Sequence, residues 1–135
     1  MRIEINNAHI VDPANQFNKV ASLYIEQHTI AAIEHAPDGW QADQTIDAKG
    51  KYLFPGIVDI ATRLREPGQE HKATIASETY AAISGGITSV VCLPDTEPTI
   101  DTPAEVELIQ QRAHAAGHCH VYVIGALNAP KAEYA

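Results

Sequence analysis

The chain has 135 residues, which is enough for one ordinary domain with a sizeable core. Apolar residues make up 45% of it and charged residues 19%, proportions that are typical of a globular protein. Its 17 acidic and 9 basic residues give a formal charge of −8. Because non-specific binding to nucleic acid or to an acidic membrane needs a cationic face, this balance argues against both partners.

The two cysteines, Cys92 and Cys119, each lie in an apolar run, where a free thiol behaves as a small hydrophobe. We therefore expect no disulfide framework, and a reducing compartment fits this cysteine usage. No stretch of the sequence approaches the length of a membrane span, and the N-terminus has no apolar signal-peptide core. The sequence predicts a cytoplasmic protein without a membrane partner.

The first part of the chain consists of short extended segments with no sustained helical period. Turn-forming residues at 12–15 and 37–39 separate these segments. The segments comprise a strand pair at 3–5 and 8–11, broken by Asn6-Asn7, a hairpin at 21–25 and 29–33, and short pieces at 45–48 and 52–54. We predict a small all-β module over residues 1–53.

From Pro55-Gly56 onward, strands and helices alternate. The predicted strands are 57–60, 87–93 and 120–127, and the predicted helices are 74–84 and 103–116. Glycines end both helices, and the second begins with Thr102 as N-cap and Pro103 at the first helical position. This order predicts right-handed βαβ units and a parallel sheet, an α/β fold.

Three parallel strands cannot close a barrel, which needs eight. Residues 128–135 are predicted to be a loop that leads onward. We therefore expect a fragment of a longer chain. The alternative, a small open α/β domain, would leave the β module with no continuation to pack against.

Several segments of the chain are similar to the dihydroorotase signature. These are residues 54–59 (Phe-Pro-Gly-Ile-Val-Asp), 64–72 (Leu-Arg-Glu-Pro-Gly-Gln-Glu-His-Lys), 85–94 and 96–103, with weaker similarity at 8–13 and 124–127. The loop Arg-Glu-Pro-Gly at 65–68 and the segment ending Asp-Thr-Pro at 101–103 are the more diagnostic. Allantoinases and hydantoinases share the first part of this pattern but less of the second.

The resemblance implies a metal-dependent (β/α)8 TIM barrel with a small β-sandwich built from both ends of the chain. Residues 1–53 would be the N-terminal β-sandwich segment, and 54–135 the first three strands and two helices of an incomplete barrel. The family interconverts N-carbamoyl-aspartate and dihydroorotate in pyrimidine biosynthesis. The implied mechanism is metal-assisted attack of hydroxide on a cyclic amide carbonyl.

The first metal-binding motif of the family is missing from this sequence. The family has His-x-His after the aspartate and one further residue, and strand alternation turns both rings to the same side. The matching positions here are Ala61 and Arg63. Alanine has no lone pair, and a guanidinium is always protonated, so we expect no zinc, no metal ligand and no catalytic residue in this chain. Arg63 could instead fill the volume of the metal and pair with Asp59 or another barrel acid.

Two positions match the substrate-binding residues of the family. Arg65 corresponds to the arginine that grips the substrate carboxylate, a task that suits its bidentate fork. Asp95 replaces an asparagine that contacts substrate, and an acid at this position would repel an anionic ligand. A structural ion-pair role for Arg65 is the alternative.

Other polar residues are assigned no chemistry. One cluster in the sequence contains His114, His118, Cys119 and His120. His114 and His118 are four residues apart, but Gly117 breaks the helix between them. His118 and His120 flank the start of the third strand, at the end opposite the expected site. We predict no metal there. The acids Glu66 and Glu70 are expected on a solvated face or near helix starts.

Three functions remain open from the sequence. The first is a non-catalytic dihydroorotase-like protein, oligomeric, that holds aspartate carbamoyltransferase in an active assembly, a partner that the resemblance alone implies. The second is an active zinc-dependent dihydroorotase or related cyclic amidohydrolase, with a divergent metal site built from later strands. The third is a solitary fragment without a function of its own.

Overall fold

The computed structural model describes residues 1–127 and divides the chain into two compact units. The first unit comprises Met1–Pro55, and the second begins at Gly56, two residues after the boundary predicted from the sequence. Within residues 1–127, no helix is long and apolar enough to cross a membrane.

The first unit is a mixed five-stranded sheet around a long central strand. Its strands are β1 (Arg2–Asp12), β2 (Phe17–Glu26), β3 (Thr29–Ile33), β4 (Gln44–Asp47) and β5 (Tyr52–Leu53). Strand β1 pairs antiparallel with β2 and parallel with β4 and β5, and β3 pairs antiparallel with β2. The predicted hairpin is therefore confirmed, although its first strand begins earlier, at Phe17.

The strand pair predicted at the start of the chain is wrong, because both segments belong to the single strand β1. Asn6-Asn7 forms a bulge, where the register to β2 shifts between Ile5 and Ala8. Asn7 has a φ of 60°, a left-handed conformation that asparagine tolerates better than most residues. The bulge keeps Ile5 and Ala8 in the same apolar core, although simple alternation would separate them.

The second unit is a three-stranded parallel sheet with two helices. Its elements are β6 (Ile57–Thr62), α1 (Ile75–Ser84), β7 (Ile87–Cys92), α2 (Pro103–Ala116) and β8 (His120–Val123), and the strand order is β6-β7-β8. This confirms the predicted parallel βαβ arrangement. Gly117 ends α2 in the left-handed conformation, as predicted. Thr74, predicted as the first residue of α1, is instead its N-cap, and its side chain accepts a hydrogen bond from the Ser77 backbone.

The third parallel strand is shorter than predicted, since it ends at Val123 and not at Leu127. The Ala126 backbone N–H donates to the carbonyl of Ile100 at 2.7 Å, which draws the chain toward the loop that follows β7. The loop predicted at 128–135 lies outside the described residues.

The core of the second unit extends beyond its regular elements. Besides helix and strand residues, it contains Leu64 from the loop after β6 and Ile100 from the loop after β7, and both side chains are fully buried. Each of these loops is therefore anchored to the core near the carboxyl end of its strand.

Candidate functional site at the carboxyl ends of the parallel strands

Two loops form the region where parallel α/β folds carry their binding residues. The first loop, residues 63–73, connects β6 to α1, and the second loop, residues 93–101, follows β7. Arg63 is the first residue after β6, and Asp95 is the third residue after β7. The two loops are joined by side-chain and backbone contacts.

Arg63 and Asp95 form an ion pair across the two loops. The Nε of Arg63 lies 3.0 Å from the Oδ2 of Asp95, and the side chains are 58% and 38% exposed. The final backbone hydrogen bond between β6 and β7 runs from the Leu93 N–H to the Thr62 carbonyl, at 3.1 Å. The pair therefore lies just beyond the end of the strand ladder. The partner of Arg63 is therefore Asp95 and not Asp59. The carboxylate of Asp59 accepts a hydrogen bond from the Ala61 N–H at 2.9 Å.

Arg65 is folded back onto its own loop. Its backbone is left-handed, with a φ of 65°, and its Nη1 donates to the Oε1 of Gln69 at 3.3 Å. The same amide oxygen accepts from the Lys72 ammonium at 3.1 Å. Among the ion pairs within residues 1–127, none involves Arg65, so the ion-pair role considered for it is not seen there. Asp95 pairs with Arg63 and not with Arg65, and a substrate contact by either residue stays a prediction.

Glu66 is an important residue of this region that the sequence did not single out. Its Oε2 accepts from the backbone N–H of Ile75 at 2.6 Å, at the first turn of α1, and its Oε1 accepts from Arg112 of α2. The side chain is only 13% exposed, so Glu66 does not lie on a solvated face, and its contact with Ile75 agrees with the expected position near a helix start. The sequence signal that could have found it is the preference of helix N-termini for acidic side chains. Here the acid comes from the preceding loop, nine residues before the first residue of α1.

The backbones of the two loops are also in direct contact. The Pro67 carbonyl accepts from the Glu97 N–H at 3.0 Å. Gly68 has a φ of +101°, and a Cβ at this position would lie 2.3 Å from the Glu97 carbonyl oxygen. Glycine is therefore required by both the conformation and the close approach. Glu70 accepts from the Gly68 N–H, and hydrogen bonds from the backbone N–H groups of Glu70 itself and of Gly68 lower the pKa of this carboxyl.

The donor set of the described residues does not fit the metal that the resemblance implies. Ala61 has no donor atom, and the cationic Arg63 is held by Asp95. Within residues 1–127, no three His, Cys, Asp or Glu side chains are placed to hold a metal ion together. His114, His118, Cys119 and His120 line a cavity of about 600 Å³ beside the amino end of β8, but they do not form such a group.

Cys92 does not provide a nucleophile at this site. The side chain is fully buried under the second loop, and burial raises the pKa of its thiol. A protonated, inaccessible thiol is a poor nucleophile. The described part of the site thus offers guanidinium donors to an anion, without the metal donors that hydroxide activation would need.

Comparison with known proteins identifies the family. The model of the dihydro-orotase-like family matches residues 50–131. The dihydroorotase-like protein of Pseudomonas aeruginosa is 48% identical over 127 residues, which are 94% of this chain and 30% of that protein. The corresponding protein of Pseudomonas putida is 46% identical with the same coverage, and the dihydroorotase of Elusimicrobium minutum is 39% identical over 98% of this chain and 30% of its own length.

Solved structures share the fold at lower identity. L-hydantoinase from Arthrobacter aurescens matches with a TM-score of 0.72 and 24% identity, over 91% of this chain and 27% of that one. Dihydropyrimidinase from Brevibacillus agri matches with a TM-score of 0.68 and 24% identity, over 97% and 28% of the two chains. These neighbours support the predicted fold, the start of a TIM barrel.

The chain spans about 30% of the length of the curated relatives that it matches. The family match extends over most of the second unit and includes both loops of the site. The chain therefore belongs to the dihydro-orotase-like family.

Proposed function

We propose that this chain is part of a non-catalytic dihydroorotase-like protein of pyrimidine biosynthesis. The observation that carries the proposal is the pair Arg63–Asp95, at 3.0 Å, where the family pattern places a metal-binding histidine and a substrate-binding asparagine. Ala61 removes the other histidine of the motif. Two relatives with the description "dihydroorotase-like protein", at 48% and 46% identity, support the family part of this proposal.

Electrostatics oppose metal binding at this position. At about 4 Å and an effective dielectric near 20, each unit of metal charge beside an unpaired guanidinium costs roughly 4 kcal/mol, and the carboxylate of Asp95 offsets part of this cost. Solvent screening lowers this cost for the half-exposed Arg63, so the loss of both ligand side chains is the stronger argument. Zinc is accordingly absent or weakly bound in this proposal.

The proposed role is structural, as a cytoplasmic, oligomeric partner of aspartate carbamoyltransferase. This partner comes from the family resemblance. The physical support is that Glu66 ties the first loop to α1 and α2, and the close approach at Gly68 joins the first loop to the second, without any metal ligand. A barrel surface can therefore be presented to a partner independently of catalysis.

The test uses the full-length protein, expressed with zinc in the medium, with the dihydroorotase of Elusimicrobium minutum as positive control. Metal content is measured by mass spectrometry, dihydroorotate hydrolysis by absorbance, and association with the transcarbamoylase by co-purification and its activity. We expect zinc far below one atom per chain, no hydrolysis above background, and a transcarbamoylase that is active only when both proteins are present. Stoichiometric zinc together with hydrolysis would refute the proposal.

A second candidate is an active cyclic amidohydrolase whose metal is held by ligands from later strands. The observation that favours it is Arg65, whose guanidinium contacts only the neutral Gln69 side chain among the side-chain hydrogen bonds of the described residues. It could therefore turn to a substrate carboxylate. Under this hypothesis the same measurements give metal and turnover, and Arg65→Ala raises KM for dihydroorotate.

A further inference from the structure

We propose that Arg63 and Asp95 function as one unit, here called the clasp, in which the guanidinium is the resident cation of the pocket. In this proposal the clasp joins the carboxyl ends of β6 and β7 and makes the pocket unreceptive to a divalent metal. The inference rests on the proposed non-catalytic function and explains how the site is stable without a metal.

The position of the clasp carries the first part of the argument. Going outward from the sheet, the two loops are joined by the Thr62–Leu93 backbone hydrogen bond, then by the clasp, and then by the Pro67–Glu97 backbone hydrogen bond. The clasp therefore occupies the interval between two backbone connections. Without it, this interval has no side-chain ion pair among those that the structure describes in residues 1–127.

The charges of the neighbouring groups carry the second part. Asp59 is turned to the Ala61 backbone, and Arg65 is turned to Gln69, so neither competes for the clasp. Arg63 alone would leave one positive charge in the pocket, and Asp95 alone would leave one negative charge. Together they are neutral, and a guanidinium binds a carboxylate through directional hydrogen bonds.

This pairing predicts that the two residues act on metal affinity in opposite directions. In Arg63→Ala, the carboxylate of Asp95 is left without its cation, and it becomes attractive to a divalent metal. We expect zinc to bind this variant about tenfold more tightly than the wild type. In the double variant Arg63→Ala/Asp95→Asn, no uncompensated charge remains, and we expect the gain to disappear.

Thermal stability gives an independent readout of the same coupling. We expect Arg63→Ala and Asp95→Asn each to lower Tm by up to about 1 °C, because the pair is half-exposed and the full-length protein is large. The double variant should lose no more than the larger single variant. The charge-swapped variant Arg63→Asp/Asp95→Arg should recover part of the loss. The matched control is Arg65→Ala combined with Asp95→Asn, which changes a neighbouring arginine outside the clasp and should give additive effects.

The experiment measures Tm and zinc affinity, the latter by competition with a chromophoric chelator, for these variants of the full-length protein. Additive Tm changes in the clasp double variant, or equal zinc affinity of Arg63→Ala and the wild type, would overturn the clasp while leaving the non-catalytic function standing. Stoichiometric zinc with hydrolysis in the wild type would overturn the proposed function itself, so the two failures are distinguishable.

Discussion

Glu66 provides the sharpest test of how the first loop is held. The variant Glu66→Ala removes two contacts at once, the acceptor for the Ile75 N–H at 2.6 Å and the ion pair with Arg112. The variant Glu66→Gln keeps a side-chain oxygen for Ile75 and loses the negative charge. The two variants therefore separate the contact of Glu66 with the start of α1 from its ion pair with Arg112 of α2.

The expected magnitude follows from these contacts. Loss of a side-chain acceptor at a helix N-terminus costs about 1 kcal/mol. A hydrogen bond to a charged partner contributes about 1.5–3 kcal/mol, and the lower end applies because Arg112 is 41% exposed and can turn to water. We expect Glu66→Ala to lower the free energy of unfolding by about 2–3 kcal/mol, and Glu66→Gln by roughly half as much.

The assay is amide hydrogen exchange of α1 in the full-length protein, supported by urea unfolding. Since 1.4 kcal/mol is a factor of ten, exchange in the first turn of α1 should accelerate roughly 30- to 100-fold in Glu66→Ala. The matched control is Glu107→Gln, which changes an exposed acid of α2 whose side-chain hydrogen bond within residues 1–127 is to Gln111, and it should alter stability by less than about 0.5 kcal/mol. If the first turn of α1 exchanges at the same rate in Glu66→Ala and in the control Glu107→Gln, Glu66 does not hold the first loop.

Two further predictions concern the second loop and the start of α2. Gly68→Ala should lower the free energy of unfolding by about 2 kcal/mol or more, measured by urea unfolding, because the new Cβ meets a backbone carbonyl of the second loop at 2.3 Å in a left-handed conformation. Gly85→Ala is the control, since its Cβ would have ordinary contacts beginning at 3.5 Å. The pKa of Glu105, in the first turn of α2, is lowered from 4.5 by hydrogen bonds, first from the side chain of the N-cap Thr102 and then from the backbone. A carboxyl whose pKa is lowered on folding stabilises the fold above its unfolded pKa, and this stabilisation is lost as pH falls through the folded pKa. Amide protection factors at the start of α2, which correct for the slower intrinsic exchange at low pH, should therefore fall below pH 4.5 in the wild type and change less in Glu105→Gln. Equal pH dependence of the two proteins would contradict the assignment.

The α/β part of the fold could be predicted from the sequence because its signals are local. Helix α2 has the predicted bounds, since Thr102, Pro103 and Gly117 specify its two ends within a few residues. The bulge in β1 was missed because Asn6-Asn7 is also a typical turn signal. Only the pairing of β1 with β2 across the sheet distinguishes the two possibilities.

The candidate site was predictable in composition but not in its contacts. The sequence shows that Ala61 and Arg63 cannot supply the histidine ligands. It does not show that Asp95, some thirty residues later, is the acid that lies 3.0 Å from Arg63, because this depends on the register of β6 against β7. The same limitation hid Glu66, whose partners are nine and forty-six residues away.

Most contacts that shape the two loops do not involve the positions where the family pattern places metal-binding histidines. Glu66 ties the first loop to α1 and α2, and the Pro67–Glu97 hydrogen bond and the close approach at Gly68 join the two loops. None of these contacts uses position 61 or 63, and the clasp adds a further link between the loops through Arg63. The charge change is confined to Arg63 and Asp95, which compensate each other. Under the proposed function, the protein lacks hydroxide activation and still keeps the loop framework at this end of the parallel sheet, which is the property that a structural partner of another enzyme would require.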